Sequence, residues 1–396
     1  MNSALSPRST TIPLPSGCAA SCAACHHRAF PLDQSLSQKQ SFVERCFETA
    51  AVQATVHPVC QAVTEETRWG TRNKAVLHVR YDLEQSQWKL GVLGRRTSPS
   101  WKTPPPLIDL IHCPQHSASI RNLHAQLERL PFPPESFAWH FAVISGSLLT
   151  LVLKQRDHPS PEILQILRDI QWEGLGLQGV LLNLNPSCGN RVLDSKRFVT
   201  IWGESTAMDA LTDSAYGPST FAQVIPLLHR QTLEQAATFL IKGHTTPQGI
   251  IDLYCGTGLS LRAWSQAGLP AIGVELSSES VRLARSNAPS AQILPGKCEE
   301  RIPQLQEWIL KNAASAVHLY CNPPRMGLDS TLIQWVKRTP SIQRIAYLSC
   351  SPRTLARDLA VLQSDFQIIN VQPYDFFPNT HHIETLALLV RKSGSE

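Results

Sequence analysis

The stretch Ile250-Ile-Asp-Leu-Tyr-Cys-Gly-Thr-Gly258 decides how the rest of the chain is read. Its apolar run suits a central parallel strand. Gly256 and Gly258 let the backbone turn tightly and approach a ligand where a Cβ would clash. A helix-like segment separates it from Ala271-Ile-Gly-Val-Glu275, a second short apolar strand that ends on a carboxylate. This is a β-α-β arrangement, and an acid at the second strand tip can accept both hydroxyls of a ribose.

A dinucleotide site would carry a third glycine three residues after Gly258, where the chain has Leu261. Without a phosphate-cradling continuation, the two strands predict an adenosine ligand that lacks pyrophosphate, which means S-adenosylmethionine. Working outward, residues 277–287 read as a helix capped by Ser277 or Ser278. Strand and helix then alternate through 316–320, 332–337 and 345–349, and two apolar runs at 366–371 and 383–390 close the chain. That alternation predicts a doubly wound sheet with ligands at the carboxyl ends of its strands.

Upstream, a helical stretch from Phe221 to Leu240 feeds the central strand, and residues 37–66 read as another helix. Alternating or apolar runs at 75–80, 88–93, 137–144, 148–154, 180–185 and 197–202, with a helix near 161–170, predict an α+β insert with an antiparallel sheet. Residues 1–17 are polar and broken by proline, and are expected to be disordered.

The 396 residues suffice for two or three domains, each with its own core. Lys+Arg 36 against Asp+Glu 31 gives +5, a mild basic excess compatible with a polyanionic partner. No apolar run approaches the roughly 18–20 residues of a membrane span, and the first residues lack a signal-peptide core, so a cytoplasmic protein with no membrane partner is expected. No protein partner is evident either. In a reducing compartment the eleven cysteines are expected to be unpaired.

Three of them fall in Cys18-Ala-Ala-Ser-Cys22-Ala-Ala-Cys25-His26-His27, a small-residue loop able to wrap a soft metal or cluster. Zinc would accept Cys25 with His26 or His27, whereas an iron–sulfur cluster requires a fourth thiolate, for which Cys113 is the candidate. Trp69 beside Arg72 and Lys74 is a mix that contacts phosphate and stacks on an unpaired base.

Three strand tips carry the candidate chemistry. Asn322-Pro-Pro-Arg325 forms a rigid lip with a free guanidinium. Cys350 sits between a strand and a helix start, where the helix N-terminus and nearby Arg353 are expected to lower its thiol pKa. Glu384 opens the last strand, placed to act as a base.

In order, Asp252-Leu-Tyr-Cys-Gly-Thr-Gly258, Gly273-Val-Glu275, Asn322-Pro-Pro-Arg-Met-Gly327, Leu348-Ser-Cys-Ser-Pro-Arg-Thr-Leu-Ala-Arg-Asp-Leu359 and Phe377-Pro-Asn-Thr-His-His-Ile-Glu384 resemble the RNA 5-methyluridine (uracil-C5) methyltransferase family. The likeness is to the branch that carries an iron–sulfur cluster and acts on 23S ribosomal RNA. It covers nearly the whole chain, and Arg72-Asn-Lys-Ala75 and Phe221-Ala-Gln223 also look like family elements.

The resemblance implies a class I S-adenosylmethionine-dependent methyltransferase fold, α/β with a Rossmann-like doubly wound sheet over residues 211–396. An α+β central RNA-binding subdomain would cover 37–210, and a cluster-binding segment 18–36. It implies Cys350 as nucleophile, Glu384 as base, and Gln223, Tyr254, Glu275 and Asn322 as S-adenosylmethionine ligands. Cys18, Cys22, Cys25 and Cys113 would hold a 4Fe-4S cluster. The expected substrate is a uridine flipped from a single-stranded RNA loop.

The chain also departs from the family pattern. Asn322 replaces a usual Asp, Ser351 a usual Asn, and Lys297 stands where an acid that reads the adenine amine is expected. Only three residues separate the first two cysteines. The residues before Cys18 leave no room for the β-barrel RNA-binding domain of some members, so RNA capture is expected to fall to the central subdomain and cysteine region. Two rivals remain. A 5-methylcytosine methyltransferase would need a cysteine after a proline where the chain has Arg325, and a silent RNA-binding or iron–sulfur module would explain Lys297 and Ser351.

Overall fold

A computed structural model describes residues 11–95, 104–187, 191–220, 224–242, 247–313 and 316–393. Two seven-stranded sheets dominate, each with its own apolar core. The chain starts with α1 (Leu32–Thr49) and then builds the first sheet from β1 (Lys74–Asp82), β2 (Gln87–Leu93), β3 (Leu107–Asp109), β4 (Trp139–Ser145), β5 (Leu148–Leu153), β6 (Gly179–Leu184) and β7 (Phe198–Gly203). Helices α2 (Ala118–Leu127) and α3 (Pro161–Asp169) punctuate it, each begun by a serine, Ser117 or Ser160, whose hydroxyl accepts the backbone N–H three residues on.

The strand order is β3-β2-β1-β4-β5-β6-β7. Every pairing is antiparallel except β5 with β6, which α3 connects as a parallel crossover. The expected insert is therefore mixed, because an intervening helix lets two neighbouring strands run the same way.

A short hairpin, β8 (Ala207–Asp209) and β9 (Ser214–Tyr216), leads through α4 (Pro226–Ile241) to the second sheet. That sheet comprises β10 (Gly249–Leu253), α5 (Leu259–Gln266), β11 (Ala271–Glu275), α6 (Ser278–Asn287), β12 (Gln292–Pro295), α7 (Ile302–Asn312), β13 (Val317–Cys321), α8 (Ser330–Arg338), β14 (Ile342–Ser349), α9 (Pro352–Leu362), β15 (Phe366–Tyr374) and β16 (Glu384–Arg391). Its order is β12-β11-β10-β13-β14-β16-β15, parallel through β14, with β16 inserted antiparallel between β14 and β15.

Burial on both faces explains why β10 is apolar throughout. Ile251 and Leu253 join the core shared with α1, α7, α8 and α9, while Ile250 faces the core of α4, α5 and α6. Each such side chain contributes roughly 1.5–3 kcal/mol by leaving water. Asp252, also fully buried, accepts a 2.9 Å hydrogen bond from the Trp264 indole.

Two N-terminal expectations change. The helix expected over 37–66 stops at Thr49, because Ala51 adopts a positive φ of 52°. The chain then runs along the outer edge of β15, bridging Val56 to Val371 and Cys60 to Tyr374. Val43 and Phe47 of α1 pack in the second sheet's core, so residues 32–60 lie with that sheet and not with the first. Residues 11–17, expected in a disordered leader, rest on the cysteine loop, with Ile12 N–H donating to Ala29 O at 2.8 Å.

Candidate functional site

The order reversal beside β10 opens a crevice at the carboxyl ends of the parallel strands, where ligands bind in doubly wound sheets. The crevice is a cleft of about 1470 Å³, lined by Tyr254, Glu275, Asn322, Cys350 and Glu384, with Asn73, Lys74, Ser145 and Gly146 contributed by the first sheet. Five of the six expected cofactor and catalytic residues therefore meet in one place. The sixth, Gln223, lies outside the described residues.

The turn after β10 is built from left-handed backbone: Tyr254, Gly256 and Gly258 have φ of 60°, 56° and 81°. Gly258 is required because a Cβ there would lie 2.9 Å from Ala284 of α6. A Cβ on Gly256 would meet nothing, so that side of the turn is open. The Glu275 carboxylate braces the turn, accepting from Gly256 N–H at 3.0 Å and Ser277 N–H at 2.7 Å, and its remaining lone pairs face the cleft. Lys297 also lines the cleft, exposed and 3.4 Å from Glu300, while Glu299 supplies a carboxylate two residues away. An adenosine fits this arrangement of open turn, ribose-height acid and deep cleft.

Strand register brings the two residues expected to be catalytic together. β14 and β16 pair antiparallel, with Arg344 opposite Val390 and Ser349 opposite Thr385. Continuing by one residue sets Cys350 opposite Glu384. Glu384 is buried, at 1% exposure, so it is no solvated edge residue. Burial pushes the Cys350 thiol above its ordinary pKa and Glu384 adds to the push, while Arg325 opposes it by charge and hydrogen bond.

This corrects the expectation of a thiol lowered by Arg353. The Arg353 guanidinium instead lies 5.7 Å from the Phe42 ring centroid and interacts with Cys46. Cys350 also precedes the helix proper, since Ser351 is the N-cap of α9.

Two supporting groups went unassigned in the sequence reading. Buried Asp358 accepts from Tyr347 Oη at 2.7 Å and Leu328 N–H at 2.8 Å, and Arg357 donates to Met326 O at 2.8 Å; together they fix the lip that carries Arg325. Asn379, at φ 66°, takes the Arg68 Nε–H on its side-chain oxygen and donates to Gln115 Oε1 at 2.7 Å, while its backbone carbonyl accepts from His27 N–H at 2.9 Å. The loop before Glu384 is thereby bolted to the N-terminal segment. Lys39 and Asp375, both with fully buried side chains, add an ion pair at 2.6 Å. Both motifs were visible in sequence, but nothing in their spacing announced these partners.

Cys18, Cys22, Cys25 and Cys113 line a separate cavity of about 90 Å³, with Arg28 and Arg72 beside them. Burial, together with the other three thiols, pushes Cys25 up to about 11, and Arg72 opposes. Among the described residues no three of these sulfurs lie within 4.8 Å of one another. A tetrahedral zinc at about 2.3 Å from each sulfur would draw them to roughly 3.8 Å.

The half-buried Lys74 amine donates to Thr220 O at 2.8 Å and burial lowers its pKa, while the side chain still lines the cleft. Cys321 is fully buried in β13 and does not line the cleft, so it offers no second nucleophile for the 5-methylcytosine reading.

Fold and cleft together have the architecture of class I S-adenosylmethionine-dependent methyltransferases. Pyrococcus abyssi tRNA (uracil-54, C5)-methyltransferase, solved with S-adenosyl-L-homocysteine, shares this fold at a TM-score of 0.68 and 20% identity, over 94% of this chain and 87% of that one. Residues 297–392 match the family model described as tRNA (Uracil-5-)-methyltransferase. An uncharacterized RNA methyltransferase of Clostridium acetobutylicum is 33% identical over 251 residues, 61% of this chain and 53% of that protein. One from Listeria innocua is 27% identical over 94% of this chain and 82% of its own length. The chain thus spans about half the length of the first of these relatives and most of the second. The chain is thus similar to RNA methyltransferases, and its residues 297–392 carry the likeness to the uracil-5 family. Among the described residues no helix is long and apolar enough to cross a membrane.

Proposed function

We propose that the chain methylates C5 of a uridine in RNA through a covalent Cys350 adduct. The observation that carries this reading is that Cys350 and Glu384, one step beyond the β14–β16 register and close enough to interact, share one cleft with the Tyr254–Gly258 turn. Uracil C5 is a weak nucleophile. Addition of the Cys350 thiolate to C6 shifts the electron pair to C5 and O4, and Arg325 favours the thiolate that begins this step. The turn, Glu275 and Asn322 would hold S-adenosylmethionine, whose sulfonium would supply the methyl group to that carbon and leave as neutral S-adenosylhomocysteine. Glu384 then takes the C5 proton, the C6–S bond breaks, and the thiolate is restored. The base must leave its stack to enter the cleft, which suits a single-stranded loop.

Cys18, Cys22, Cys25 and Cys113 would hold a 4Fe-4S cluster. Four thiols around one cavity, the number an iron–sulfur cluster requires, and the neighbouring Arg28 and Arg72 support this reading. Such a cluster would supply a rigid anionic anchor beneath the loop that Asn379 bolts. Ribosomal RNA is the proposed substrate, supported by the resemblance to the cluster-bearing branch. The family description names transfer RNA instead, which makes that the second reading.

The test is methyl transfer to separated ribosomal and transfer RNA, wild type beside Cys350→Ala, with nucleoside analysis. 5-Methyluridine in ribosomal RNA from wild type alone supports the whole reading, and product only in transfer RNA moves the substrate. No product in either fraction, despite cofactor binding, removes the enzymatic reading.

A further inference from the structure

Far from the cleft in sequence and role, β3 and α2 bring Asp109, His124 and Glu128 together. His124 and Glu128 are four residues apart at the end of α2, so they share one face. Asp109 closes the edge strand β3, opposite Gly91 of β2. His124 Nε2 lies 3.3 Å from Glu128 Oε1 and 3.7 Å from Asp109 Oδ1.

His124 is fully buried, and apart from the 3.3 Å approach of Glu128 Oε1 to Nε2 neither ring nitrogen has a hydrogen-bond partner. Unmet polar atoms of this kind are costly unless something else satisfies them. Lys89 does not fill the gap. Its amine approaches the outer oxygens, 3.6 Å from Glu128 Oε2 and 4.0 Å from Asp109 Oδ2, leaving the inner oxygens turned toward the imidazole. Ile111 N–H donates to Asp109 Oδ1 at 2.8 Å, which fixes that carboxylate while a lone pair remains.

We propose that Asp109, His124 and Glu128 bind one divalent transition ion of the zinc type. Tetrahedral zinc with bonds of about 2.0–2.2 Å sets neighbouring donors roughly 3.3–3.5 Å apart, and the observed 3.3 and 3.7 Å spacings fall at that scale. An imidazole among the donors favours zinc over calcium or magnesium, which take oxygen ligands. The Asp109 side chain is 38% exposed, so water can complete the shell, and Lys89 holds the outer oxygens as a second-layer partner. The ion would tie the edge strand β3 to α2.

The experiment loads the full-length protein with zinc, removes excess, and measures bound metal by elemental analysis in wild type, His124→Ala and Glu128→Gln. Circular dichroism checks folding, and Glu128→Gln keeps side-chain volume in case His124→Ala unfolds. Wild type is expected to hold one equivalent more than either variant, the loss exceeding the roughly 10–100-fold weakening typical of outer partners. Cobalt substitution separates this site from the cysteine loop. The part of the spectrum lost in Glu128→Gln must lack a thiolate charge-transfer band. Equal metal in all three proteins, or a thiolate band in the lost component, overturns the proposal and leaves the trio as a histidine–carboxylate ion network.

Discussion

Cys350 and Cys25 are both thiols withdrawn from water, and burial raises the pKa of each. What surrounds them differs. Cys350 faces one carboxylate and one guanidinium, Glu384 and Arg325, which push its pKa in opposite directions. Cys25 faces three more thiols and Arg72, a set in which several thiolates coexist only if a cation holds them. Residue type is the same in both places; on the proposed reading the neighbours separate nucleophile from ligand.

The largest expected effect contrasts the two directly. Cys350→Ala should lower methyl transfer by at least about 10⁴-fold, as removal of a covalent nucleophile does. Cys25→Ala should remove bound iron yet leave transfer measurable. Labelled-methyl incorporation and iron analysis on both variants would erase the contrast if Cys25→Ala were the dead one and Cys350→Ala active.

Glu384→Gln should slow turnover by about 10²–10⁴-fold while the thiol still adds, so a protein–RNA adduct accumulates. A denaturing gel with labelled RNA shows it as a retarded band. Its absence, with activity retained, would remove Glu384 from the role of base.

Lys39→Met leaves Asp375 charged and buried without its partner, and should destabilise the fold by about 3–5 kcal/mol in urea unfolding. A change under 1 kcal/mol would mean that the pair is not what anchors the loop before Glu384.

The smallest effects separate two arginines. Removing Arg325 takes away the cation that opposes the raised Cys350 pKa, so the thiolate fraction falls at any given pH below that pKa. The rising limb of the pH–activity profile should therefore move to higher pH in Arg325→Ala. Arg353→Ala should leave the limb in place and cost only about 0.5–1 kcal/mol, the worth of its contact with Phe42. If Arg353→Ala moved the limb and Arg325→Ala did not, the observed surroundings of Cys350 would be wrong.

Much of the second sheet was legible in the residues. The turn at Gly256 and Gly258, the acid after β11, and the apolar runs of β13 and β14 are set by local sterics and by burial on both faces. The antiparallel insertion of β16 was not, because two apolar runs separated by a loop fit either direction. The 37–66 helix was over-extended for a related reason. Its helical pattern does not announce that Ala51 turns or that the following segment finds an edge to pair with.

Sequence by itself determined the ordered motifs, the strand–helix alternation and the presence of one thiol, one acid and a cysteine set, since these follow from residue type and short spacing. Tertiary structure decided that Cys350 meets Glu384, that Arg325 and not Arg353 faces the thiol, and that Asn379 joins the loop before Glu384 to the N-terminal segment. Those contacts depend on the register between strands and on packing between segments hundreds of residues apart. Local propensity carries no record of either.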